Sequence, residues 1–233
     1  MFSEMAPVNF PGSPSTEGEY PAFPKLFVDD VEQAELQSFL HGKQISGPLI
    51  LLQPGNKRTL KRGRMGSIGD HKSWPTSHWI ELCRALLVLR PDASLLLCGA
   101  PPEQPLLREI AASSGSGRVH ALGDELPIPR LLALLTRAHS LISIDSGPAH
   151  AGAALGCPTV VLFGATVVEN WLPRAAPSTP VIGLEAPASR PRRVDEISVA
   201  RVLDAWRSLP GKQTASPACV VGGTAADQGL LAP

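Results

Sequence analysis

From about residue 47 to residue 209 of the 233-residue chain, short apolar runs alternate with stretches whose apolar residues recur every three or four positions. Leu49–Gln53 is a mostly apolar run closed by Pro54-Gly55, the pattern of a strand buried on both faces. A helix is predicted from Ser77, taken as its N-cap. Trp79, Leu82, Cys83, Leu86 and Leu87 give that helix one apolar face, and Pro91-Asp92 ends it. The next strand covers 94–98 and stops at Gly99. A helix over 105–113, a short strand over 118–122 and a Leu-rich helix over 129–138 follow. A strand over 141–144 runs into Asp145-Ser146-Gly147, a short helix takes 148–155, Thr159–Phe163 is another strand, and 198–206 is a closing helix.

This regular alternation with short connections predicts a doubly wound α/β domain, a parallel sheet with helices on both faces. Ligands of such sheets bind beyond the carboxyl ends of the strands, where the strand order reverses. Candidate site residues are therefore sought just after strands. Residues 1–46 are taken as a Pro/Ser-rich N-terminal segment and linker, 47–209 as the domain, and 210–233 as a poorly ordered tail rich in small residues.

Composition narrows the function classes. Basic and acidic residues balance at 21 each, so no global charge points to a nucleic-acid partner. The four cysteines, Cys83, Cys98, Cys157 and Cys219, form no CxxC pair and have no histidine spaced to complete a metal site. Cys83 and Cys98 fall within apolar periodic segments and are expected to be small core residues. The N-terminus lacks the basic start and apolar run of a secretory signal, and no apolar stretch is long enough to span a bilayer. The expectation is a soluble, intracellular protein.

The segment richest in chemistry is 141–171, LISIDSGPAHAGAALGCPTVVLFGATVVENW. An apolar strand ends in Asp145-Ser146-Gly147, and Pro148 then opens a helix of small residues, a position where its missing N–H costs nothing. The N–H groups of Ser146 and Gly147, with the helix dipole, form an anion site suited to phosphate. Gly147 admits the phosphate close to the backbone. The alternative is an ordinary strand–turn–helix with Asp145 as N-cap.

The residues Asp145-Ser146-Gly147-Pro148-Ala149-His150, Ala153-Ala154-Leu155-Gly156-Cys157-Pro158 and Phe163-Gly164 with Thr166 resemble the signature of glycosyltransferase family 9. Its members are the ADP-heptose:lipopolysaccharide heptosyltransferases and their relatives. Pro54-Gly55, Lys72-Ser73-Trp74-Pro75 and Gly99-Ala100 with Glu103 match further elements of the same pattern in order. The resemblance implies the Rossmann-like C-terminal half of a two-domain, B-type glycosyltransferase. That half would hold a nucleotide-sugar donor, ADP-heptose, for transfer to a lipopolysaccharide core or related glycan at the membrane surface. It further implies that Lys72 faces the diphosphate and Glu103 holds the ribose hydroxyls. Asp145 would bind sugar hydroxyls, Ser146 and Gly147 would cradle phosphate, and His150 would touch the donor. The alternatives are a solvated loop lysine, a surface glutamate at a helix start, and a packed, hydrogen-bonded histidine. No cofactor and no metal are expected. The implied reaction is inverting transfer, with the base on the family's other domain. The expected location is cytoplasmic, with peripheral attachment to the inner face of the cytoplasmic membrane left open.

Two features depart from the family pattern. Only the segment up to Ser46 precedes the first strand, too little for the family's N-terminal domain. This keeps a second expectation open, a non-catalytic nucleotide-sugar-binding fragment of a truncated glycosyltransferase. The stretch 56–73 is also a long loop carrying Lys57, Arg58, Lys61, Arg62 and Arg64, either a solvated loop or a contact for phosphate groups. Other nucleotide folds fit less well. No GxGxxG follows the first strand, no GxxxxGK[S/T] occurs, and no GxSxG elbow supports a hydrolase triad.

Overall fold

The computed structural model describes residues 23–55, 73–187 and 193–210. The stretch 56–72 and both chain ends, including Cys219, lie outside these. The described residues form a six-stranded parallel sheet in the order β3-β2-β1-β4-β5-β6. The strands are β1 (Leu49–Gln53), β2 (Ser94–Leu97), β3 (Val119–Ala121), β4 (Ser140–Ile144), β5 (Thr159–Phe163) and β6 (Val181–Glu185). The helices are α1 (Asp30–Gly42), α2 (Thr76–Leu89), α3 (Gln104–Ser114), α4 (Ile128–Arg137), α5 (Gly147–Ala154), α6 (Val168–Trp171) and α7 (Val199–Ser208).

Successive strand residues point to opposite faces, and both faces here are apolar. Ile50 and Leu52 of β1 join Leu95, Leu97, Ile142, Ile144, Val160 and Leu162 in one core with Trp79, Leu82 and Leu86 of α2, Leu107 and Ile110 of α3, and Val202 and Trp206 of α7. Leu49 and Leu51 point the other way, into a core with Leu36 and Leu40 of α1 and Ala133, Leu134 and Leu135 of α4. The helices therefore lie on both faces, as the alternating pattern predicts.

The sequence-predicted elements are all present, most with ends shifted by one or two residues. The start of α2 differs from expectation: Pro75 occupies the N-cap position and Ser77 lies exposed inside the first turn. Trp74 anchors this start instead. Its indole N–H donates to the Ile197 carbonyl at 2.8 Å, and its ring meets Trp79 edge-on at 4.9 Å. Three elements went unforeseen. Helix α1 lies within the segment taken as a linker, and β6 and α6 lie between β5 and α7. Helix α1 is capped by Asp29, whose carboxylate accepts from the Glu32 N–H at 2.8 Å. It is tied to α4 by Gln33 donating to Thr136 at 2.7 Å and Arg137 donating to Gln37 at 2.6 Å. The Arg130 guanidinium also stacks 4.5 Å over the Phe39 ring. Cys83, Cys98 and Cys157 are buried free thiols, and burial pushes those of Cys83 and Cys98 up to about 12, as inert core residues.

At the amino edge of the sheet a polar cluster closes the core. Arg90 donates to His139 Nε2 at 3.2 Å, and Arg90 also pairs with Asp92 at 3.1 Å. A guanidinium has no acceptor, so Nε2 must accept and Nδ1 must carry the proton toward Ser140 Oγ, 3.1 Å away. Ser140 Oγ also accepts from the Trp206 indole at 2.8 Å. Burial, then the Arg90 charge, hold the His139 pKa below its ordinary 6.5, with Asp92 opposing.

Two outcomes follow from this packing. Leu36→Ala removes a fully buried side chain from α1 and should lower the unfolding free energy by about 2–5 kcal/mol in urea titration. A change within a few tenths would show α1 to be a detachable appendage. For His139 the unfolded chain binds the extra proton first, so its contribution is lost as pH falls through the ordinary value toward the depressed one. His139→Gln keeps an acceptor toward Arg90 but cannot titrate. It should lose less stability between pH 7.5 and 5.5 than the parent chain, although His120, depressed by burial and by Lys43, keeps part of the slope.

Candidate functional site

The strand order reverses between β1 and β4, which pair in parallel with Gln53 opposite Ser143. Chain leaving β1 and β2 runs to helices on one face, whereas chain leaving β4 and β5 runs to helices on the other. A crevice therefore opens at the carboxyl edge between these ends. Gln53 and Ser143 are buried polar residues at this seam, and sequence reasoning passed over both. Gln53 Nε2 donates to the Gly55 carbonyl at 2.9 Å, holding the turn after β1. Ser143 Oγ lies 2.9 Å from Ser146 Oγ. Their signal was available, since each is a polar residue at the last or next-to-last position of a mostly apolar strand.

On the β2 side stands Glu103, in the 3-10 turn Pro101–Glu103 that leads into α3. The alternative of a surface glutamate fails, because Glu103 is only 3% exposed. Its Oε2 accepts from the Ala100 N–H at 2.8 Å, while its buried Oε1 has no hydrogen-bond partner among the described residues. Burial raises its pKa above the ordinary carboxylate value, and the Ala100 N–H opposes the shift. The carboxyl fits there because residue 55 is glycine: a Cβ on Gly55 would sit 1.7 Å from Glu103 Oε1. Gly99 is similarly close, with a built Cβ 3.0 Å from Oε2.

On the β4 side, Asp145 is half-buried and its N–H continues the ladder to the Leu162 carbonyl at 3.1 Å. Asp145 Oδ2 accepts from the Thr166 hydroxyl at 3.0 Å. Ser146 rather than Asp145 is the N-cap of α5, in extended conformation, and its side chain makes no cap bond. Ala149 N–H closes onto the Ser146 carbonyl at 3.1 Å. The N–H groups of Ser146 and Gly147 have no partner among the described residues and crown the helix with its positive dipole end. Nothing lies within 4 Å of a Cβ built on Gly147, so the protein's own packing does not require glycine there. The small residues of α5 are needed on its other side: Ala149 packs with Val161 and Phe163, and a Cβ on Gly152 would come 3.0 Å from Leu141 Cδ2. His150, one turn in, is exposed, which removes the packed-histidine alternative.

Five of the six residues singled out from sequence thus lie at the carboxyl edge, Glu103 on one side of the switch point and Asp145, Ser146, Gly147 and His150 on the other. Lys72 lies outside the described residues, as does the basic stretch 57–64. Among the described residues no three His, Cys, Asp or Glu side chains gather as metal ligands, and no helix is long and apolar enough to cross a membrane.

The model of glycosyltransferase family 9 (heptosyltransferase) matches residues 23–197. The chain belongs to glycosyltransferase family 9. It is 36% identical over 88 residues to lipopolysaccharide heptosyltransferase 3 of Escherichia coli, covering 38% of this chain and 24% of that one. The fold is shared with the E. coli ADP-heptose lipopolysaccharide heptosyltransferase II, at a TM-score of 0.64 and 21% identity over 82% of this chain and 54% of that one. It is also shared with an E. coli heptosyltransferase solved with ADP, at a TM-score of 0.55 and 23% identity over 75% and 48% of the two chains. The chain therefore spans about half the length of these solved relatives.

Gly55→Ala tests the Glu103 geometry directly. The new methyl occupies the place of Oε1 and should turn the carboxyl toward solvent, bringing its pKa down toward the ordinary 4.5. A carboxyl-selective NMR titration of Glu103 reads this shift. An unchanged titration would mean that the turn after β1 moves instead.

Proposed function

We propose that this domain binds the nucleotide-sugar donor of a heptosyl transfer, ADP-heptose, for delivery to a lipopolysaccharide core or related glycan at the inner face of the cytoplasmic membrane. The observation that carries the reading is the division of the carboxyl edge into two unlike polar patches flanking one switch point. The Glu103 patch holds a buried carboxyl oxygen without a partner among the described residues, a state that costs free energy unless a donor supplies the missing bond. Vicinal ribose hydroxyls are two such donors, and a carboxyl group can accept from both. The other patch presents the uncapped N–H groups at the α5 N-terminus beside a glycine that the packing leaves bare, the chemistry that receives phosphate. The proposal puts the nucleoside at the first patch and the diphosphate at the second.

Asp145 adjoins that phosphate position, where its charge opposes a diphosphate. Its role in the proposal is to accept hydrogen bonds from the sugar. In the transfer step the bond from the anomeric carbon to the diphosphate oxygen breaks as an acceptor oxygen attacks from the opposite side. Negative charge then grows on the departing nucleoside diphosphate. The amides of Ser146 and Gly147 and the helix dipole stabilise that charge where it develops. Lys72, by the family pattern, adds a point cation. His150, exposed at the rim, is placed to meet the donor from the solvent side.

Calorimetric titration of adenosine, ADP and ADP-heptose into the parent chain and Asp145→Asn tests the assignment. The parent should bind ADP more tightly than adenosine, and ADP-heptose more tightly again. The variant keeps the shape of Asp145, so ADP affinity should hold or rise slightly. ADP-heptose affinity should fall by about 1.5–3 kcal/mol, the worth of a hydrogen bond to a charged group. Loss of ADP binding with an intact thermal transition would put Asp145 on the nucleotide. Absence of ADP binding by the parent would end the reading.

A further inference from the structure

We propose that Thr166 is a positioning residue for donor-sugar recognition, its hydroxyl holding the Asp145 carboxylate in the orientation that meets the sugar. The proposal rests on the reading that Asp145 contacts the donor sugar. The contact joins residues 21 apart in sequence at 3.0 Å, across the ends of neighbouring strands. Backbone pairing has stopped there. The last ladder bond from β4 to β5 is Asp145 N–H to the Leu162 carbonyl, and β6 closes on β5 with Ala186 N–H to the Phe163 carbonyl. Past that line the Thr166 hydroxyl links the turn that opens α5 to the loop that follows β5.

The loop that carries Thr166 is itself held from below. Val168 N–H donates to Glu185 Oε1 at 3.3 Å, and Arg201 donates to the Glu185 carbonyl at 3.1 Å. Val168 and Leu172 press onto β6 at Gly183, where a Cβ would stand 2.7 Å from Val168 Cγ1 and 2.9 Å from Leu172 Cδ1. The glycine in the middle of that edge strand allows α6 to seat close, and the seat sets the height of Thr166 above Asp145. A carboxylate offers about four acceptor sites, and a hydroxyl bonded to one of them restricts its rotation. Thr166 and Asp145 are both half-buried at the rim, where the same bond adds little to folding. Its consequence is orientation, and the penalty for losing it falls on the ligand that needs the orientation.

The test compares ADP and ADP-heptose binding in the full chain across Thr166→Val, Thr166→Ser, Asp145→Asn and the double variant Thr166→Val/Asp145→Asn, with thermal melting as the fold check. Thr166→Val should weaken ADP-heptose by about three- to tenfold, the range of a single hydrogen bond, and leave ADP within twofold. Thr166→Ser keeps the hydroxyl and should restore parent affinity. In the Asp145→Asn background, Thr166→Val should cost nothing further, because it acts through the carboxylate it holds. Equal weakening of both ligands, a Thr166→Ser variant as weak as Thr166→Val, or additive losses in the double variant would each overturn the proposal. If Thr166→Val leaves ADP-heptose binding unchanged while Asp145→Asn weakens it, Thr166 has no such role and the reading of Asp145 stands. If Asp145→Asn also changes nothing, that reading fails and takes this proposal with it.

Discussion

The parallel pairing of β1 with β4 is the contact on which the rest of the molecule depends. Crossovers between parallel strands are right-handed, so a chain that winds outward from β1 through β2 and β3, then returns to β4 on the other side, must change the face on which its helices lie. The helices that follow β1 and β4 consequently lie on opposite faces of the sheet. The sheet below is mostly apolar, with every residue of β1, β2, β4 and β5 buried. Polar groups are thereby concentrated at its two edges.

Those edges are built differently. At the amino edge Arg90, Asp92, His139, Ser140 and Trp206 bond one another in a closed set. At the carboxyl edge the accounting is left open among the described residues, with an unpaired buried oxygen on Glu103 and uncapped N–H groups at the start of α5. A core of this packing sustains such deficits because their cost is small against the burial of two apolar faces. The imbalance distinguishes an edge whose side chains bond one another from an edge with unmet hydrogen-bonding capacity.

Close packing at the open edge comes from small residues as much as from bonds. Gly55 and Gly99 allow Glu103 to lie flat between two strand ends, and Gly183 allows α6 to seat on the outer strand. Each glycine brings side chains nearer to backbone than a Cβ permits, so the loops that carry polar groups rest on the sheet. The Ala and Gly residues of α5 do the same for the helix whose N-terminus faces the crevice.

Much of this was written in local pattern. Central strands such as Leu49–Gln53 and Thr159–Phe163 announce themselves as apolar runs, because burial on both faces admits little else, and Asp145-Ser146-Gly147-Pro148 marks a strand end and helix start by backbone chemistry alone. The elements that escaped are those whose stability is borrowed. Helix α1 buries only Leu36 and Leu40 and depends on α4 for its other contacts, and β6 is half-buried along its whole length, with a glycine at its centre. The side-chain partnerships were likewise out of reach. Nothing near Glu103 in sequence states that Gly55 will close over it, and nothing near Thr166 states that Asp145 will meet it. Residues tens of positions apart become neighbours only when strands align in register. The chain by itself determined which segments are strands and helices and which polar residues end them. The tertiary structure alone decided which of those residues face one another, because burial and unmet hydrogen bonds belong to the packed assembly.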